Sequence, residues 1–414
     1  MNNETPDSFV VTNSLTKRRE VFSPRHGNEV KMFTCGPSVY RKQHLGNYRT
    51  FVFEDVLQRY LEYRGYTVQR VINFTDLEDK TIEESVETGR SIDEVVEPVV
   101  QDFMQSCDRL GIRLPDNIPR STTSVDQAVV LIQKLIEKGI AYWHDGNVYY
   151  DPIAYGHFGE VYGLDMSEWP DHKVRFSRDT YNGMRWNRGD FILWHGFKPG
   201  MPMCWETAIG KGRPSWNVQD PAMITKTLGY EIDIHCGGID NLVRHHDYNK
   251  AVVEGVSGTE FCHYWMHGEH LIVNGDKMSK SKGNVWYPED LFAKGYEPSD
   301  VRFHLVYGHY RDKLNVTDES LEHAKTYRHE LVGRIARAAR EETSGEDTAR
   351  GGALAAEAIK LFRNAMNRDL QVKGVVDDLF KLASDVLDAR EDGQFGEGNR
   401  RTLLSSIEQI DEVL

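Results

Sequence analysis

Val30-Lys31-Met32-Phe33-Thr34, then His44-Leu45-Gly46-Asn47, then Phe51-Val52-Phe53-Glu54-Asp55-Val56-Leu57-Gln58-Arg59-Tyr60-Leu61 is the succession that decides the fold. The first run reads as a strand, and the last carries its apolar residues at helical period. Gly65 suits the end of that helix, and residues 67–73 are strand-like again. Strand, helix, strand is a βαβ unit. It implies a parallel sheet that holds ligands at the carboxyl ends of its strands. The His44–Asn47 turn then opens a helix N-terminus, where backbone N–H groups and a histidine cradle phosphate.

Far downstream lies a flexible, basic stretch, Gly275-Asp276-Lys277-Met278-Ser279-Lys280-Ser281-Lys282-Gly283-Asn284. It supplies mobile ammonium groups to the phosphates of a nucleotide. Turn and loop together read as activation by ATP, with pyrophosphate leaving. The bland alternative is a surface loop with incidental lysines.

The 414 residues exceed one ordinary core, so two or three domains are expected. A hydrophobic share of 39% with 11% aromatics is ample for globular folding. No window approaches the roughly 18 apolar residues of a membrane span, and the N-terminus has no apolar signal core. A cytoplasmic protein is therefore expected. The five cysteines, Cys35, Cys107, Cys204, Cys236 and Cys262, are scattered, with no CxxC pair, which argues against a disulfide framework. Cys107, Cys236 and Cys262 read as small core residues. Net charge is −14, which repels phosphate at long range, so any RNA must meet a local basic patch. Arg328, Arg334, Arg337 and Arg340 are spaced helically, but Glu341 and Glu342 follow; a solvated helix face is the simpler reading.

Helical patterns run from about 91 to 110 and from 124 to 138. Residues 148–212, rich in Gly, Pro, Trp and Tyr, read as an irregular insertion over the site and not as part of the sheet. The sheet is expected to resume with residues 231–235 and 270–273. From residue 318 the pattern is helical, broken by a solvated linker at 341–348, with helices near 353–366, 373–390 and 397–413.

Six segments, in order, resemble the cysteinyl-tRNA synthetase family of class I synthetases. They are Met32-Phe33-Thr34-Cys35-Gly36-Pro37-Ser38-Val39-Tyr40; His44–Asn47; Val71-Ile72-Asn73-Phe74-Thr75-Asp76-Leu77-Glu78-Asp79-Lys80; Gly212-Arg213-Pro214-Ser215-Trp216; Cys236-Gly237-Gly238-Ile239-Asp240 with His245-His246; and the lysine loop. Met366-Asn367-Arg368-Asp369-Leu370 is a weaker echo. The resemblance implies a Rossmann-type, doubly wound parallel α/β sheet, a nucleotidyl-transferase core with HIGH and KMSKS motifs, an inserted subdomain and a C-terminal helical bundle. The expected division is 1–90 and 213–275 for the two halves of the core, and 91–212 for the insertion. Residues 276–316 would hold the KMSKS loop and stem-contact region, and 317–414 the bundle.

By that resemblance, His44 and Asn47 face the phosphates of ATP, which arrives with Mg2+ as substrate. Lys277 and Lys280 close over pyrophosphate, Ser279 and Ser281 add hydroxyls, and Gly46, Gly237 and Gly238 make room. Asp240 would hold the ribose. Asn47 stands where the family usually has His; an amide still donates to phosphate. The amino-acid pocket would comprise Cys35, Tyr40, Thr75, Trp216, Asp220, His245 and Asn249, and Asp76 resembles part of its wall.

Here the chain departs from the family, in which four side chains hold a zinc ion that takes the substrate thiolate. Asp220 replaces the family's second Cys, Asn249 its final Glu, and Asn217 the usual His after the pocket Trp. Cys35, Asp220 and His245 remain legitimate zinc ligands, while a neutral amide is a poor fourth. Two readings stay open: zinc held by three residues, or a metal-free pocket in which Asp220 and Asn249 read a side chain directly. Asp220 paired internally with Arg213 or Arg244 is the inert alternative.

In length the chain is similar to the mycothiol-pathway cysteine ligase, a shortened relative. The leading expectation is therefore a ligase that forms an aminoacyl-adenylate and passes the acyl group to a small amine or carrier. The alternatives are an enzyme charging tRNA with cysteine or a related amino acid, and an idle ligand-binding paralogue. An idle protein has no need of a pyrophosphate clamp.

Overall fold

Glu29–Thr34 and Thr67–Ile72 pair in parallel and are joined by the Leu45–Tyr63 helix, the expected βαβ unit. The computed structural model describes residues 7–164, 190–242, 244–278 and 282–414. Its central sheet has four parallel strands in the order Cys262–Gly268, Ile232–Gly238, Glu29–Thr34, Thr67–Ile72. The chain runs outward from Glu29–Thr34 to one side first and to the other later. The crevice between Glu29–Thr34 and Ile232–Gly238 is thus the switch point where such sheets bind ligands.

Two expectations about the sheet are corrected. Leu271–Val273 is not its fourth strand; it pairs with Asp276–Lys277 and Leu314–Val316 in a separate small sheet. The fourth strand is Cys262–Gly268, at the edge of the sheet but largely buried, whose buried His267 and closing glycine interrupt the apolar run expected of a covered parallel strand. Residues 148–212 also hold strands of their own. Ala141–His144, Asn147–Tyr150, Phe191–Gly196 and Gly212–Pro214 form a four-stranded antiparallel sheet. Its core is aromatic, with Tyr150 stacked on Phe191 at 4.6 Å.

The bundle comprises Asp318–Ile335, Ala349–Met366, Val372–Glu391 and Glu397–Asp411. It shares one apolar core with the Leu45–Tyr63 helix through Tyr60 and Phe362, whose centroids lie 5.7 Å apart. The expected linker at 341–348 is tied down: Thr343 Oγ1 donates to the Phe395 carbonyl, and Gly398 N–H to Asp347. Arg328 is spent on Asp300 and Glu297, and Arg334 lies over the Phe380 ring, so these arginines form no continuous basic row. The Met366–Leu370 echo is structural. Asn367 accepts from Tyr60, and Asp369 accepts from the Thr12 N–H and from Tyr310. All five cysteines are free, with Cys107, Cys236 and Cys262 buried. Among the described residues, no helix is long and apolar enough to cross a membrane.

Candidate active site

The carboxyl ends of the parallel strands deliver most of the site. Cys35 and Gly36 follow one strand, Asn73 and Thr75 the next, Asp240 the third, and His44 opens the Leu45–Tyr63 helix. They surround a cleft of about 310 Å³ lined by Cys35, Tyr40, His44, Gly46, Asn47, Thr75, Trp216, Gly238, Asp240, His245 and Lys277. The two strand ends approach closely at Gly36, where a Cβ would fall 1.8 Å from the Asn73 carbonyl oxygen.

One half of the cleft suits a nucleotide. His44 is the N-cap, its backbone extended at φ −89°, ψ 167°, and the first turn holds no acid to oppose an anion. Asn47 Oδ1 accepts the His44 N–H at 3.1 Å, so its amide N–H groups remain for a ligand. Burial, and then the Arg41 charge, lower the His44 pKa, so the imidazole is a neutral donor at pH 7. A Cβ on Gly46 would meet Met278 Cε at 2.8 Å, so glycine lets the lysine loop close onto the turn. A Cβ on Gly238 would lie 2.6 Å from Asp240 Oδ1, and one on Gly237 2.9 Å from Asn241 Nδ2. Lys277 lies exposed on the cleft; Ser279, Lys280 and Ser281 fall outside the described residues.

The other half is a hydrogen-bonded knot. Cys35 Sγ stands 3.4 Å from both Asp220 Oδ2 and His245 Nε2, which are themselves 2.8 Å apart. Asn73 Nδ2 donates to Asp220 Oδ1 at 3.0 Å, while Asn73 Oδ1 accepts the Gly36 N–H at 2.8 Å. Asp220 is therefore internally satisfied by Asn73, Cys35 and His245, and not by Arg213, which pairs with Asp79 instead. Burial pushes the Cys35 thiol up, and the adjacent Asp220 charge adds to it. Trp216 stacks on the His245 ring at 4.1 Å with 41% of its surface exposed, so it is a pocket wall and not a core aromatic.

Asp220 and Asn249 sit behind the cleft wall. Asn249, one turn after His245, is fully buried; its Nδ2 is 3.3 Å from His235 Nε2, and its Oδ1 has no partner among the described residues. Thr75 Oγ1 accepts from Asn73, but Asp76 turns away to bond the Thr122 N–H and hydroxyl. Sequence reasoning gave Asn73 no role, although a polar residue closing an apolar strand was the available signal.

A model of the class I tRNA synthetase (C) catalytic domain matches residues 21–326. The cysteine–tRNA ligase of Chlamydia pneumoniae is 35% identical over 406 residues, 97% of this chain and 85% of that protein. This chain belongs to the class I cysteinyl-tRNA synthetase family. The Methanococcus maripaludis cysteine–tRNA ligase is 40% identical over 76% of this chain and 65% of its own length. The fold is shared more widely. Mycobacterium tuberculosis methionyl-tRNA synthetase, solved with methionyl-adenylate, superposes with a TM-score of 0.67 at 15% identity, covering 94% of this chain and 90% of that one. As a member of this family the chain is an aminoacyl-tRNA synthetase-like ligase.

The family implies zinc, and the donor set fits it in part. The ligand atoms of Cys35, Asp220 and His245 all lie within 4.8 Å of one another. Zinc bonds of about 2.0–2.3 Å place tetrahedral donors roughly 3.3–3.7 Å apart. Both Cys35 edges meet that spacing, while the Asp220–His245 edge is a hydrogen bond that a metal would have to open. Three side chains thus fit a zinc ion with one position open, and Asn249 offers only a neutral amide.

Proposed function

We propose that this chain activates cysteine or a closely related amino acid as its aminoacyl-adenylate and transfers the acyl group to tRNA. The relatives' shared name favours tRNA as acceptor over the small amine or carrier expected from length alone. One observation carries the reading: His44, Asn47 and Lys277 line the same cleft as Cys35, Trp216 and His245.

In activation, a carboxylate oxygen of the amino acid attacks the α-phosphorus, and the bond to the departing pyrophosphate breaks. Catalysis of this kind is mostly positioning and charge stabilisation. His44 and the Asn47 amide donate to the phosphates at the positive end of the helix. Lys277, with Lys280 of the same loop, neutralises the leaving group, and Asp240 accepts from the ribose hydroxyls. A hydroxyl of the acceptor then attacks the acyl carbon and AMP leaves. Zinc, held by Cys35, Asp220 and His245, would supply a soft Lewis acid for a sulfur-bearing side chain. With neutral Asn249 in place of the family's Glu, and Asp220 in place of thiolate, its affinity is lower than the family's. Selection of cysteine over serine is correspondingly relaxed.

The test is amino-acid-dependent ATP–pyrophosphate exchange over a panel of amino acids, followed by transfer of the activated label to tRNA. Exchange with cysteine or a near relative, and acid-stable label on tRNA, are expected. No exchange with any amino acid sinks activation; exchange without charging sinks tRNA as acceptor.

A further inference from the structure

Arg41 and Lys80 lie over the same ring, that of Tyr40, at 4.9 Å and 5.1 Å from its centroid. Both are exposed, and neither pairs with a carboxylate among the described residues. Their neighbours behave differently. Lys42 is held by Asp102 at 2.8 Å and Glu289 at 3.0 Å, and Asp79 is taken by Arg213. Glu78, the nearby acid, is half-buried beside Ser38 and feels both charges, but forms an ion pair with neither. Two cations on one aromatic pedestal outnumber the single half-buried acid beside them, in a chain of net charge −14. Cation–π contact at exposed sites contributes only about 0.5–1 kcal/mol, but it holds both groups in place before a ligand arrives.

Their position narrows the anion. Lys80 stands in the first turn of the Asp79–Thr88 helix, where the helix dipole adds to its charge. The Asp79–Arg213 pair ties that turn to the Gly212–Pro214 edge strand of the antiparallel sheet. The pedestal therefore lies at the seam between core and insertion. The groups assigned to ATP lie on the Leu45–Tyr63 helix, the Asp240 turn and the lysine loop; Arg41 stands on the rim of that cleft and Lys80 outside its lining. Once ATP and the reacting carboxylate are provided for, the anion left in the reaction is the acceptor's own phosphate.

We infer that Arg41 and Lys80, stacked on Tyr40, seat a phosphodiester of the acceptor RNA at the entrance to the amino-acid pocket. This rests on the tRNA reading above. The two can be told apart, because wild-type charging is measured before any variant.

The test compares Arg41→Ala, Lys80→Ala and the double variant in two assays: exchange without RNA, and charging at several salt concentrations. The KM for tRNA is expected to rise about tenfold in the double variant; in exchange, the ATP and amino-acid KM change less than twofold in Lys80→Ala, and Arg41→Ala adds only the small effect of its charge on His44. Each lost phosphate contact should also lower the log–log salt slope by about one. Arg41→Lys should recover part of the loss, since it restores charge but not the planar fork. An equal loss in exchange assigns the cations to ATP or the amino acid and overturns the inference. So does a double variant that charges tRNA like the wild type. A wild type that exchanges but never charges tRNA removes the acceptor reading and this inference together.

Discussion

The two ends of the cleft differ in what holds them. The nucleotide end is built from backbone: a helix N-terminus, close-packed glycines, and Arg49, which donates to the carbonyls of His270 at 2.9 Å and His309 at 3.2 Å. The amino-acid end is built from side chains on four separate segments, Cys35, Asn73, Asp220 and His245, bonded to one another. Backbone sites tolerate few substitutions, because the geometry is the fold itself. A side-chain knot can be rewritten by two or three substitutions while the fold stays.

The largest effect should come from the nucleotide end. His44→Ala should lower exchange about a hundredfold or more, as loss of a preorganised donor does, and by the same factor for every amino acid accepted. A variant that instead reordered the amino-acid panel would break the division between the two ends.

Restoring the family's ligands sharpens it from the other side. Asp220→Cys with Asn249→Glu should retain about one zinc per chain through dialysis against a weak chelator, where the wild type loses it. The same variant should raise the cysteine-to-serine exchange ratio at least about tenfold. Unchanged metal content and ratio would show that selectivity lies outside these positions.

The smallest effect concerns pH. Burial, then the Arg49 charge, lowers the His304 pKa to about 4. Below its ordinary value near 6.5 the unfolded chain binds a proton that the folded one refuses. His304 therefore costs no stability above pH 6.5, and its burden grows as pH falls toward 4. His304→Leu should shrink the fall in Tm between pH 6.5 and 4 by a few degrees, without altering the amino-acid ranking. An identical fall in both proteins would exclude His304 as the source.

The nucleotide half was legible because its parts are contiguous: strand, turn and helix lie within residues 29–63, and glycine spacing marks close approach. The knot was legible only as a set of candidates. That Asp220 meets Asn73 and not Arg213 depends on how a strand end and a helix 147 positions apart pack together, which no local pattern encodes. Cys262–Gly268 escaped notice because a buried strand carrying two histidines does not look apolar. The strands within 148–212 were hidden by short lengths and by the aromatic residues that make their core.

The Thr12 N–H bond to Asp369 spans 357 positions. During synthesis the opening hairpin must therefore wait, with one hydrogen-bonding edge bare, until the third-last helix has left the ribosome. Fusions or trims ahead of Val10 are then perturbations of how the distant bundle docks, although they lie nowhere near it in the chain.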